Sequence, residues 1–331
     1  MRMSCLNFKV CSALHDLLIS SRFFNGWMVI FLLLFYAPGS VIAQTPEEPS
    51  AFNVTIVLSE NEGSYAEFGH ALDTILSQKK INHQITDTTK PIPASELVIG
   101  VGLKAATAAA ASNAPVVLNV LITRSLHHKL IKEFPRRAEA SSFSTIFLNQ
   151  PVLRQVQFIR AIFPNKHHVG ILYSTPPNEL AELRQQLQDH QLVLLEQSVN
   201  QTNSLGDALQ DILLGRSELI LALPDTAVYN ESTIRNILMG TYRRGIPLIG
   251  LSSGYVNAGA FCAIFSTPEQ IARQTAALVV RFGTTHELPS AQYPNEFEVM
   301  VNEHVAKALE LKIKDSATVH GEIVRAMKEA Q

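Results

Sequence analysis

Short apolar runs alternate with amphipathic stretches from Asn53 to Leu311. Asn53–Leu58, Leu97–Val101, Pro115–Leu121 and Thr145–Leu148 read as strands, because each is rich in β-branched or aliphatic residues and ends at a polar or turn-forming residue. Gln84–Thr86 reads as a shorter one. Between them, Tyr65–Gln78 carries Phe68, Leu72, Ile75 and Leu76 at helical spacing, Ala105–Ala111 is alanine-rich, and Ser125–Phe134 has a mixed face. Past Pro151, which suits the first turn of a helix, Val152, Val156, Ile159 and Phe163 form another stripe. Strands Val169–Tyr173, Leu192–Leu195, Leu219–Leu223 and Pro247–Leu251 then alternate with helices Asn178–Asp189, Leu205–Leu214 and Ser232–Arg244. This order predicts an α/β fold, with parallel sheets covered by helices in two successive units of the same grammar. No residue-level repeat accompanies it.

The region after Leu251 reads as a turn through Gly254 and Gly259, a strand Ala260–Phe265 and a helix opened by Thr267-Pro268-Glu269. Either glycine would suit a crossing of the backbone between units. A last strand, Phe297–Val301, a helix, Glu303–Leu311, and a charged helical tail complete the pattern.

Composition narrows the class. The 331 residues are 47% hydrophobic and 17% charged, which fits a folded chain with two sizeable cores. A formal charge of −2 speaks against a nucleic-acid surface. Residues 1–43 differ from the rest. Arg2, Lys9 and Arg22 precede an uncharged run, Trp27–Ala37, followed by Pro38-Gly39-Ser40 and Val41-Ile42-Ala43. That is the layout of a signal peptide cleaved after Ala43, with a retained anchor as the alternative, and it implies a periplasmic location. Cleavage would remove Cys5, Cys11 and Trp27 and leave Cys262 as a lone cysteine in an apolar run, read as a small buried hydrophobe.

Ligands of parallel α/β sheets sit beyond the carboxyl ends of the strands. The candidates there are Asp225, Ser252, Ser253 and Tyr255, with Tyr173 and Ser174 in the second unit and Ser59, Tyr65 and Thr123 in the first. An ionised Asp225 would accept from a ligand amine or hydroxyl, and the bland reading is a turn aspartate. The tyrosines would stack on a planar ligand or simply pack at the rim.

Three sharper patterns carry little. Gly250-Leu251-Ser252-Ser253-Gly254 matches a hydrolase elbow, but the expected turn into a strand is the wrong context, and Asp315 and His320 make a poor triad. Gly100-Val101-Gly102 lacks the third glycine of a dinucleotide loop. Adjacent His127-His128 and His167-His168 diverge and form no metal clamp. No catalytic residue, metal site or cofactor is expected.

The run LPDTAVYN…TIRNILMGTYRRGIPLIGLSSGYVNAGAFCAIFSTPEQIARQTA, then YPNEFEVMVNEHVAKALEL, resembles the substrate-binding proteins of ABC transporters, in particular the tryptophan- and tyrosine-type members. Phe147-Leu148-Asn149-Gln150-Pro151, Gln155, Arg160 and Val169–Ser174 support it, and it spans roughly residues 52–312. The resemblance implies a type I periplasmic-binding-protein fold, two doubly wound parallel-sheet lobes joined by three crossings and closing on a ligand. The first lobe would comprise 52–148 plus about 257–290, the second 151–254 plus about 294–331. It also implies a small-molecule ligand, amino-acid-like by family, and an inner-membrane ABC permease as partner. A sensory or accessory binding protein without its own permease is the alternative. Ala105–Ala111 lacks ligand-stacking aromatics and Ser59-Glu60-Asn61-Glu62 is unusually acidic, two departures from the typical members.

Overall fold

The computed structural model describes residues 52–139 and 142–330; the signal-peptide expectation for residues 1–43 lies outside them. In chain order the elements are β1 (Val54–Leu58), α1 (Gly63–Gln78), β2 (His83–Asp87), β3 (Leu97–Val101), α2 (Leu103–Ala111), β4 (Val116–Ile122), α3 (Arg124–Glu133), α4 (Pro135–Glu139) and β5 (Phe143–Phe147). There follow α5 (Val152–Ile162), β6 (His168–Tyr173), α6 (Leu180–Asp189), β7 (Val193–Ser198), α7 (Leu205–Leu214), β8 (Leu219–Leu221), α8 (Ile234–Arg243), β9 (Leu248–Gly250), α9 (Ser253–Asn257) and β10 (Cys262–Phe265). The chain ends with α10 (Pro268–Thr285), β11 (Glu298–Val301), α11 (Glu303–Ala308) and α12 (Ser316–Glu329).

Two sheets result. The first is wholly parallel in the order β2-β1-β3-β4-β5. The second runs β11-β10-β9-β8-β6-β7, parallel except for the antiparallel edge strand β11. Central strands β1 and β3 are buried at every position, as helices on both faces of a parallel sheet require. Helix α2 is alanine-rich because it lies tight against the first sheet, with Ala105, Ala106, Ala109 and Ala110 all buried. Gly102, at φ 81, opens this helix. A Cβ there would stand 2.7 Å from both Ser59 Oγ and a ring carbon of Tyr65, so the close turn needs glycine.

The boundary expected near residue 257 is corrected. β10 pairs in parallel with β9, Cys262 opposite Ile249, and so belongs to the second sheet. The return to the first lobe begins at α10, whose Ile271, Ala272, Val279 and Phe282 join the core of Phe68, Leu72 and Leu76. The crossing therefore falls at Ser266–Thr267, not at Gly254 or Gly259. Thr267 marks it with a capping box. Its side chain accepts from Gln270 N at 3.2 Å, and the Gln270 side chain accepts from Thr267 N at 2.9 Å. The other crossings are Leu148–Pro151, before α5, and the stretch from Gln292 to Phe297 before β11. α12 covers the second lobe with Val319 and Ile323. Cys262 is fully buried in that core, which pushes its thiol pKa up.

Polar side chains lace the three crossings together. Gln150 Nε2 donates to Ser266 Oγ at 2.9 Å, and Ser266 Oγ donates to the Glu296 carbonyl at 2.6 Å. Arg154 Nη1 donates to Gln150 Oε1 at 2.7 Å and to the Pro294 carbonyl at 3.0 Å. Its guanidinium lies 4.6 Å from the Phe297 ring centroid, and burial pulls its pKa down to about 10.

Gly250 supplies a test of packing at the end of β9. A Cβ there would collide with Tyr255 Cβ and stand 3.3 Å from Ala260 Cβ. Gly250→Ala should cost about 1–3 kcal/mol, read as a lower urea midpoint at unchanged slope. An unchanged midpoint would show that α9 moves aside freely.

Candidate functional site

A cavity of about 600 Å³ lies between the lobes, against the first crossing. Its first-lobe wall is α3. β4 leads into that wall through Leu121, which sits at φ 54 where the pairing with β5 shifts register. A non-glycine residue held there stores strain of about 1–3 kcal/mol. Thr123 then caps α3, its hydroxyl accepting from Leu126 N at 3.2 Å. The second-lobe wall comes from the ends of β6, β8 and β9, as the strand-end rule requires.

The cavity brings together four of the expected residues: Thr123, Tyr173, Ser174 and Asp225. Asp225 takes the bland role. Its carboxylate accepts from Ser174 N at 2.6 Å, from Ser174 Oγ at 2.8 and 2.9 Å, and from Ala227 N at 3.0 Å. These bonds tie the end of β6 to the end of β8 and occupy the oxygens that a ligand amine would need. Tyr173 donates its hydroxyl to Glu196 Oε2 at 3.3 Å, and burial, with Glu196 beside it, raises its pKa.

The other five candidates do not line the cavity. Ser59 Oγ accepts from Ala105 N at 3.0 Å, satisfying the start of α2. Tyr65 packs over Gly102, and burial raises its pKa. Ser252 is the N-cap of α9, Ser253 its first residue, and Tyr255 packs against Gly250. The serine of the G-x-S-x-G run is thus followed by a short helix, not by the expected turn into a strand. Its backbone, at φ −159 and ψ 173, is relaxed, and no hydrogen bond joins its hydroxyl to a histidine among the described residues. A nucleophile elbow needs both a strained turn and such a base.

Sequence reasoning missed the α3 face. His128, Lys129 and Lys132 border the cavity, and Leu148 and Gln150 border it from the first crossing. A polar helical face reads as a solvated one until its partner is known. Across the mouth the lobes touch. Asn178 Nδ2 donates to His128 Nδ1 at 3.0 Å, and Arg124 Nη1 pairs with Glu182 Oε2 at 3.2 Å. Arg124 Nη1 also donates to the Tyr293 hydroxyl at 2.9 Å, and its backbone N–H to Asn149 Oδ1 at 2.9 Å. No group of three or more His, Cys, Asp or Glu able to hold a metal ion occurs among the described residues.

The family model described as ABC transporter substrate binding protein matches residues 76–324. The chain belongs to this family. Solved structures agree on the fold of this ABC substrate-binding protein. A conserved domain protein from Vibrio cholerae is similar at 18% identity and TM-score 0.59, with 82% of this chain and 98% of that one covered. An ABC domain in complex with L-Trp from Streptococcus pneumonia matches at 15% identity and TM-score 0.59, covering 82% and 98%. A ligand-free, open substrate binding protein with adhesive properties from Clostridium difficile matches at 14% and 0.59, covering 81% and 97%. No curated protein matches the chain. The family implies a small-molecule ligand and a transporter permease. ABC substrate-binding proteins are typically extracytoplasmic, and no described helix is long and apolar enough to cross a membrane.

Proposed function

We propose that this ABC substrate-binding protein captures a small solute between its two lobes in the periplasm and delivers it to an inner-membrane permease. Residues 1–43 serve as the secretion signal. The observation that carries the reading is the cavity of about 600 Å³, walled by α3 on one side and the ends of β6, β8 and β9 on the other. A solute touching both walls favours the closed arrangement, because a ligand shifts an equilibrium only by its differential affinity for the two states. The laced crossings suit such a closure. They hold the lobes in register while leaving the mouth contacts, Arg124 with Glu182 and His128 with Asn178, free to part. Family membership favours an amino-acid-like solute, as does the L-Trp complex of the streptococcal relative.

The test is a thermal-shift panel of amino acids, organic acids, nucleosides and sugars on the purified protein. A true solute at a hundredfold excess over its Kd should add about 2.7 kcal/mol of stability. A panel in which no compound raises the melting midpoint would sink the solute-capture reading.

A further inference from the structure

The walls of the cavity differ in chemistry. The second-lobe floor and the first crossing are aliphatic: Leu148, Leu183, Leu223 and Leu251 border it, with Phe265 beside them. Leu148 is 43% exposed although it sits at the crossing, so a large apolar side chain there has no protein partner over much of its surface. The facing wall is cationic. Lys129 and Lys132 stand one turn apart on α3, and neither has a carboxylate within salt-bridge distance among the described residues.

Of the two acidic groups at the cavity, one is committed elsewhere. Asp225 is occupied by Ser174 and Ala227. Glu179 borders the cavity with its Oε1 buried and without a hydrogen-bond partner, close enough to Arg124 and Tyr293 for its charge to act on both. His128 accepts from Asn178. Two lysines with no carboxylate partner face the one carboxylate of Glu179, so the balance of open charge at the cavity is positive. Sugar stacking has little to work with, since the aromatic rings of the lining are Tyr173, Phe265 and His128.

We propose that the solute is an amphipathic organic anion, its acidic head paired with Lys129 and Lys132 and its aliphatic body laid on Leu148, Leu183, Leu223 and Leu251. An acidic head leaving water needs a paired partner, and the two lysines supply it. The apolar floor rewards chain length. The proposal rests on the cavity being the solute site, and it departs from a zwitterionic amino acid in asking for no cationic group on the ligand.

Calorimetric titration with hexanoate, octanoate and decanoate, alongside octanol, octylamine and leucine, tests it on the full protein. Each added methylene should tighten binding about fourfold. Octylamine should bind at least tenfold more weakly than octanoate. The double variant Lys129→Gln/Lys132→Gln, both exposed and so harmless to the fold, should weaken octanoate at least tenfold and leave octanol unchanged. Tighter binding of octylamine or leucine than of octanoate overturns the proposal while solute capture stands. So does wild-type octanoate affinity in the double variant. Failure of these compounds and of the whole thermal-shift panel overturns both.

Discussion

Phe282→Ala is expected to cost about 3–5 kcal/mol and to loosen one lobe while sparing the other. Phe282 is 2% exposed on α10 and meets Phe52 edge-on, ring centroids 5.6 Å apart. It belongs to a core with Phe68, Leu72, Leu76 and Val279, whereas the second lobe packs its own core around Phe158, Ile171, Ile220 and Phe261. α10 is a late piece of chain that roofs the early sheet, so its anchor matters more than its position in the sequence suggests. Hydrogen exchange gives the readout. Amides of β1, β3 and β4 should exchange more than a hundredfold faster in the variant, since 3 kcal/mol exceeds two factors of ten, while those of β6 and β8 keep their protection. Equal acceleration in both sheets would show that the lobes unfold as one unit.

Acidification from pH 7 to pH 4 should cost up to about 3 kcal/mol through His127 alone. Its ring is 5% exposed, stacks on Phe143, meets Phe147 edge-on, and its Nδ1 lies 2.8 Å from Thr145 Oγ1. Burial, with His128 and Arg124 adding to it, pulls its pKa down from 6.5 to about 4. The folded state therefore keeps a neutral ring in a range where the unfolded chain takes up a proton. Stability from this group is full above pH 6.5, falls as pH drops to about 4, and changes no further below that. Urea unfolding of the wild type and of His127→Gln at pH 7.0 and 4.5 checks it. The gap between the two proteins should narrow in acid, and a gap unchanged between the two pH values would remove His127 as the cause. The same residue seats α3, so acid loosens the wall that carries Lys129 and Lys132.

The alternation of strands and helices was legible because runs such as Val54–Leu58 and Leu97–Val101 are buried on both faces and so are apolar apart from Thr55. What a run cannot state is its partner. Ala260–Phe265 is as apolar as any first-lobe strand, and only its pairing with Ile249 and Gly250 assigns it to the second sheet. The true crossing was written nearby, in Thr267-Pro268 and Gln270, as a helix start. α9 was invisible because five residues that include Gly254 and Asn257 carry weak helix preference. Residue types past the strand ends singled out Thr123, Tyr173, Ser174 and Asp225, which line the cavity. The chain could not show that the Asp225 carboxylate is spent on Ser174, far away in sequence. Nor could it show that the polar face of α3 meets a cavity and not bulk water.

The late arrival of α10 also sets an order of events in time. β1 to β5 are complete by Phe147, yet the helix that seals their core spans Pro268–Thr285, after the whole second sheet apart from β11. Closing so long a loop carries an entropic penalty that early local contacts cannot repay, so the first lobe waits, half-formed, for distant chain to emerge. The second lobe holds β6 to β10 in one continuous stretch, and it too waits for late chain, the edge strand β11 and the cover of α12. The first lobe therefore stays incomplete until α10 docks, and that interval is when its apolar sheet is most open to chaperones or to aggregation.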